Sequence, residues 1–155
     1  MNYLNKGNDG FASLRNSKFV DKSLLIAEVN SAMMTENRFL CVTRARRFGK
    51  SVAVKMLNAY YDKSCDSQNL FQGLAISKDE DFEKHLNRYP VLYLDMTDFV
   101  TKYGNDEQLV EHIKRDICEE LLELYKGVVM KPNDDLMDLL VSIVNQTGEK
   151  FVCLI

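Results

Sequence analysis

The apolar positions change period several times along the chain, and each change marks an element. Residues 1–18 are polar and rich in Asn, Gly and Ser apart from Phe11 and Leu14, which reads as a loosely attached lead. Leu25, Val29 and Met33 then share one face of a helix predicted over about 22–35, with Asp21 in position to cap it. Phe39-Leu40-Cys41-Val42-Thr43 is continuous and β-prone, so a first strand is expected there. A helical pattern resumes over about 50–62, turning Ala53, Met56, Leu57 and Tyr60 inward. Lys63 to Gln68 is a polar loop, and Ser77 or Asp79 opens a short helix towards Asn87. Pro90 ends it, and Val91 to Met96 reads as a buried strand. Gly104-Asn105 stops the following loop and opens a strong helix to about Lys126, in which Leu109, Ile113, Ile117, Leu121 and Leu124 keep the 3,4 spacing. Gly127 is its C-cap signal. Asn133 caps another helix carrying Leu136, Leu140, Ile143 and Val144, closed by Gly148. Phe151-Val152-Cys153-Leu154-Ile155 is a last apolar run. Strands alternating with helices predict an α/β fold with a doubly wound parallel sheet.

The first predicted strand leads straight into Arg44-Ala45-Arg46-Arg47-Phe48-Gly49-Lys50-Ser51, and a helix follows. Strand, tight loop, Gly-Lys-Ser and helix are the parts of a phosphate-binding P-loop. The physics is direct. Backbone N–H groups of the loop and the helix N-terminus converge on one spot, and the helix dipole adds partial positive charge there. Gly49 permits close approach, Lys50 reaches the β/γ-phosphates, and Ser51 offers a hydroxyl to Mg2+. The candidate nucleotide-binding residues are therefore Arg46, Arg47, Phe48, Gly49, Lys50, Ser51 and Val52, with Ser51 as the metal ligand. The standard pattern has glycine where this chain has Arg44, whose side chain is expected to point out of the cradle or to cap the nucleotide from the side. The plainer alternative is a solvated basic turn with a chance Gly-Lys-Ser.

Composition narrows the classes. The 155 residues are 46% hydrophobic and 28% charged, which fits a folded domain with a real core. A formal net charge of -3 argues against a broad nucleic-acid surface, and the arginines around Lys50 are a local exception suited to a polyphosphate. No apolar run approaches the roughly 20 residues of a membrane span, and no secretory leader pattern opens the chain, so a cytoplasmic protein without a membrane partner is expected. Cys41, Cys65, Cys118 and Cys153 lack metal-type spacing and read as buried free thiols. His85 and His112 sit in charged stretches and read as solvated.

The segment Thr43 to Ser51, TRARRFGKS, resembles the degenerate P-loop of the predicted AAA-ATPase-like family of bacterial proteins, in which Arg-Pro-Arg-Arg-Phe-Gly-Lys-Ser/Thr is usual. Ala45 stands in place of the proline. Three further segments resemble that family in order: Phe19-Val20-Asp21-Lys22-Ser23, Leu70-Phe71-Gln72-Gly73-Leu74-Ala75-Ile76 and Tyr89-Pro90-Val91-Leu92-Tyr93-Leu94-Asp95. The resemblance implies a P-loop NTPase domain over 19–155 with a three-layer parallel sheet ordered 5-1-4-3-2, here incomplete, with strands 1–3 of an expected five. It implies ATP and Mg2+ as ligands. It also implies a catalytic Walker B acid directly after Ile155, so that no catalytic residue falls within the chain, which would be a fragment of a larger ATPase. Relatives often carry a C-terminal nuclease-like domain, so DNA is implied only through a domain these residues lack; self-association is a further implied partnership. Two alternatives stay open: a small-molecule P-loop kinase, and a nucleotide-sensing module that binds without turnover. Asp95 and Asp98, at the end of the second predicted strand, are expected to be satisfied loop carboxylates rather than the missing acid.

Overall fold

A computed structural model describes residues 3–43, 45 and 47–155. Eight α-helices and two short strands are formed among them: α1 (Asp9–Arg15), α2 (Leu24–Ala32), α3 (Lys50–Tyr61), α4 (Gln68–Phe71), α5 (Phe82–His85), β1 (Val91–Tyr93), α6 (Met96–Tyr103), α7 (Leu109–Leu124), α8 (Leu136–Thr147) and β2 (Val152–Leu154). A 3-10 turn at Ala75–Lys78 precedes α5. The strands pair in parallel, with Val91 opposite Val152 and Tyr93 opposite Leu154.

Alternation along the strands gives the sheet two apolar faces. Val91, Tyr93, Val152 and Leu154 pack into a core with α1, α2 and α3, built on Phe11, Ile26, Met56, Tyr60, Tyr61 and Phe71. Leu92, Leu94 and Phe151 face the other way, onto Phe99, Ile117, Leu121, Leu139 and Ile143 from α6, α7 and α8. The helices follow from their sequences. The 3,4 pattern of α7 turns Ile117 and Leu121 inward, and α8 starts at a capping box in which the carboxylates of Asp135 and Asp138 each accept a backbone N–H of the other's residue. Gly148 ends α8 at φ 73°, a left-handed conformation that favours glycine.

Several expectations are corrected. The sheet has two strands, not three: residues 39–43 form no strand, and among the described residues no strand pairs with them. β propensity measures fit to a pleated, partly buried surface, and this segment has no such surface beside it. Phe39 is 84% exposed and Cys41 is exposed. An apolar groove of 570 Å3 separates the segment from β2; Leu40 and Val42 line one side, Val152 and Leu154 another. The lead is not loose. Tyr3, Leu4 and Phe11 are buried, α1 packs on α3, and Leu4 bridges antiparallel to Leu92. Asp62 holds this stretch by accepting the Gly7 N–H at 2.7 Å, and Asn58 donates to the Gly7 carbonyl at 2.7 Å.

Boundaries shift as well. Gly104 terminates α6, an unexpected helix, and α7 begins only at Leu109. α7 ends at Tyr125 without using Gly127, and Asp135 rather than Asn133 caps α8. The short helix expected from Ser77 or Asp79 is broken into the 3-10 turn and α5. His85 is buried and bonded through Nδ1 to the Tyr89 hydroxyl at 2.7 Å, and His112 stacks on Tyr103, so neither is a plain solvated side chain. Cys153 is exposed like Cys41, and all four thiols are free.

Candidate functional site

The loop before α3 is shaped by two left-handed residues. Arg47 has φ 68° and Gly49 has φ 81°, with Phe48 between them 61% exposed. For glycine this backbone is inexpensive; a Cβ there costs roughly 1–2 kcal/mol. Gly49 is also the N-cap of α3, and its carbonyl accepts from Ala53 N–H at 2.9 Å. No side chain caps the helix. The N–H groups of Ser51 and Val52, in the first turn, have no partner among the described residues. Ser51 is exposed on that turn. A twelve-residue helix therefore presents its positive end at a glycine-lined mouth.

Two ammonium groups stand over the loop. Lys50 Nζ donates to the Ala45 carbonyl at 3.2 Å, folding back across the turn closed by Phe48 N–H on that carbonyl at 3.4 Å. Lys22 Nζ donates to the Phe48 carbonyl at 2.8 Å, and it lies 3.4 Å from where a Cβ on Gly49 would be. Phe48, Gly49, Lys50, Ser51 and Val52 are thus brought to one place, with Arg47 at its edge. Arg44 and Arg46 lie outside the described residues.

Lys22 also reaches this loop, and spacing alone did not single it out. Its neighbours fix it. Asp21 accepts the Ser23 N–H at 2.8 Å and the Ala75 N–H at 2.8 Å, and the buried Ser23 hydroxyl accepts the Ile76 N–H at 3.1 Å. Asp21 therefore tethers the entry to α2 rather than serving as its N-cap, which is Ser23. Burial works against the Asp21 charge, but the hydrogen bonds from Ser23 and from the Ala75 N–H outweigh it and hold the carboxyl below its ordinary range. The signal in the sequence was the polar pair flanking a lysine immediately before a helix.

The two aspartates after β1 are engaged locally. Asp95 accepts the Thr97 N–H at 2.9 Å as the cap of α6, and its carboxyl is lowered chiefly by the Thr97 hydroxyl. Asp98 pairs with Lys6 at 3.7 Å. Among the described residues no group of three His, Cys, Asp or Glu side chains is placed to hold a metal ion. A P-loop does not need such a cluster, because Mg2+ there is bound mainly by phosphate oxygens and water, with the loop hydroxyl and a Walker B acid from the protein. The exposed Ser51 fits that donor set. No helix is long and apolar enough to cross a membrane among the described residues.

No curated protein and no solved structure matches the chain. A family model described as predicted AAA-ATPase matches residues 6–155, which covers the loop, both strands and every helix. The chain belongs to the AAA-ATPase-like family.

Proposed function

We propose that the loop ending in Gly49-Lys50-Ser51 is the phosphate cradle of an ATP site in a P-loop NTPase fold. One observation carries this: left-handed Gly49 opens directly onto the uncapped first turn of α3, where the N–H groups of Ser51 and Val52 have no partner among the described residues. Such groups are satisfied by an anion, and the dipole of α3 favours one. In this reading Lys50 leaves the Ala45 carbonyl for the β/γ-phosphates, a stronger charge-assisted bond. Ser51 gives its hydroxyl to Mg2+, which when bound neutralises phosphate charge. Arg47 and Phe48 border the phosphates, Val52 contributes through its N–H, and Arg46, outside the described residues, joins the set on its sequence position alone. Hydrolysis further requires an acid to complete the metal site and a group to position water, and Asp95 and Asp98 are committed to Thr97 and Lys6.

Isothermal titration of Mg·ATP into the wild-type protein and the Lys50→Ala variant tests the reading. The variant keeps the backbone donors and loses the charge, so its affinity should fall by roughly tenfold or more. Equal affinity in the two proteins would remove this site from consideration.

A further inference from the structure

We infer that Lys22 is a second phosphate-binding lysine, contacting the same polyphosphate as Lys50 from the opposite side of the loop. The inference rests on the nucleotide-binding reading above, and deepens it by adding a residue from a separate part of the chain.

The placement is built rather than incidental. Asp21 and Ser23, the residues on either side, are both bonded to consecutive N–H groups, of Ala75 and Ile76. The Lys22 carbonyl accepts from Leu25 N–H at 3.1 Å and that of Ser23 accepts from Ile26 N–H at 2.9 Å, so the backbone here already turns into α2. Two anchors hold the segment to the 75–76 turn, while the lysine between them reaches the P-loop. There its ammonium meets the Phe48 carbonyl, 26 residues along the chain. Its distance of 3.4 Å from the missing Gly49 Cβ puts it on the side where glycine leaves room for a ligand.

The chemistry favours an anion at that spot. A lysine ammonium has three donor hydrogens, and the Phe48 carbonyl takes one. Bonds from an ammonium to a phosphate oxygen are about twice as strong as bonds between neutral partners. The site would then carry two mobile ammonium groups and the rigid N–H groups of α3, a set matched to a chain of phosphates rather than to a single carboxylate. Because the Lys22 anchors lie at residues 75–76, a bound polyphosphate would also tie the loop to the start of α2.

Four proteins decide the matter: wild type, Lys22→Ala, Lys22→Gln and Lys22→Arg, each titrated with Mg·ATP and with tripolyphosphate. Lys22 is exposed, so all should melt at similar temperatures. The expected result is a loss of about tenfold to a hundredfold in affinity for both ligands in the Ala and Gln variants, and near-normal binding in the Arg variant. The Gln variant is the discriminating one. It keeps a neutral donor for the Phe48 carbonyl, so wild-type affinity there would show that Lys22 only props the loop and would overturn the inference. Wild-type protein that binds neither ligand would sink the nucleotide reading itself. Binding lost in Lys50→Ala but unchanged in all Lys22 variants would leave that reading standing and dismiss Lys22. A direct check is chemical: Mg·ATP should protect Lys22 from acetylation, read by mass spectrometry.

Discussion

Single buried polar residues fix the packing around α2 and α3. Tyr61 donates its hydroxyl to Asn30 Oδ1 at 2.7 Å, Asn30 Nδ2 donates to the Tyr60 hydroxyl at 3.1 Å, and Tyr60 donates to the Phe82 carbonyl at 2.6 Å. Both tyrosines are fully buried, and burial pushes the Tyr60 phenol up to about 12. Asn30→Leu removes the acceptor of the Tyr61 hydroxyl while leaving the Tyr60 bond to Phe82 intact. One stranded hydroxyl should cost about 1–3 kcal/mol, measured by urea unfolding. A cost below about 0.5 kcal/mol, the range of ordinary surface substitutions, would mean that the chain of bonds does not hold. None of this was legible in the sequence. Asn30 sits beside Val29 on a helix whose expected inward face was Leu25, Val29 and Met33; the observed buried positions are Ile26 and Asn30. An apolar pattern cannot announce a buried amide, because the partners that make its burial tolerable come from other elements. The turn at Gly49 and the start of α3 after it, by contrast, were legible, because they are set by backbone conformation within a few residues.

At the scale of elements, Asp116 on α7 joins three parts of the fold. Its carboxylate accepts from Lys102 Nζ at 2.6 Å, from the Tyr103 hydroxyl at 2.7 Å and from the Tyr3 hydroxyl at 3.1 Å. Burial would raise its pKa, but the bonds from Lys102, Tyr103 and Tyr3 outweigh burial and hold it at about 2, below the ordinary 3.8. The folded state therefore prefers the ionised form more than the unfolded chain does. That stability is fully present above about pH 4 and is lost as pH falls towards 2. Melting curves from pH 7 to 2 should show Asp116→Asn less stable than wild type at neutral pH, with the gap closing through that window. A gap that stays constant with pH would rule out the carboxylate as its source. The helices themselves were largely legible: α3, α7 and α8 lie where the 3,4 spacing puts them. α6 was missed because the expected strand runs on to Met96 and a loop is expected from there to Gly104; only Phe99 is fully buried on this helix. The overlooked signal was Asp95 two residues before Thr97, a helix cap.

At the scale of the whole molecule, the sheet shows where reading from the sequence ends. Val91 to Tyr93 and Val152 to Leu154 became strands because each supplies the other's ladder. Phe39 to Thr43 has the same composition without that ladder, and pairing is a property of two segments, never of one. Phe39→Ser should accordingly change stability by less than about 0.5 kcal/mol, whereas the same change in a buried strand would cost several times more. Differential scanning fluorimetry will separate the two, and a large drop would place Phe39 in a packed core after all. The edge of the sheet at β1 is closed instead by the first residues of the chain. Asn5 N–H donates to the Val91 carbonyl and Tyr93 N–H to the Tyr3 carbonyl, both at 2.8 Å. The N–H groups of Tyr3 and Leu4 go to Glu120, at 2.7 and 2.9 Å. Glu120 follows Tyr3 by 117 residues, so these earliest residues are made long before their partner. At about 5–20 residues per second of synthesis, the Tyr3 and Leu4 N–H groups wait on the order of 6–23 seconds for the Glu120 carboxylate to be made. Residues 3–5 thus close their edge of the sheet on a clamp made much later than themselves, and until α7 is made that edge is held without Glu120.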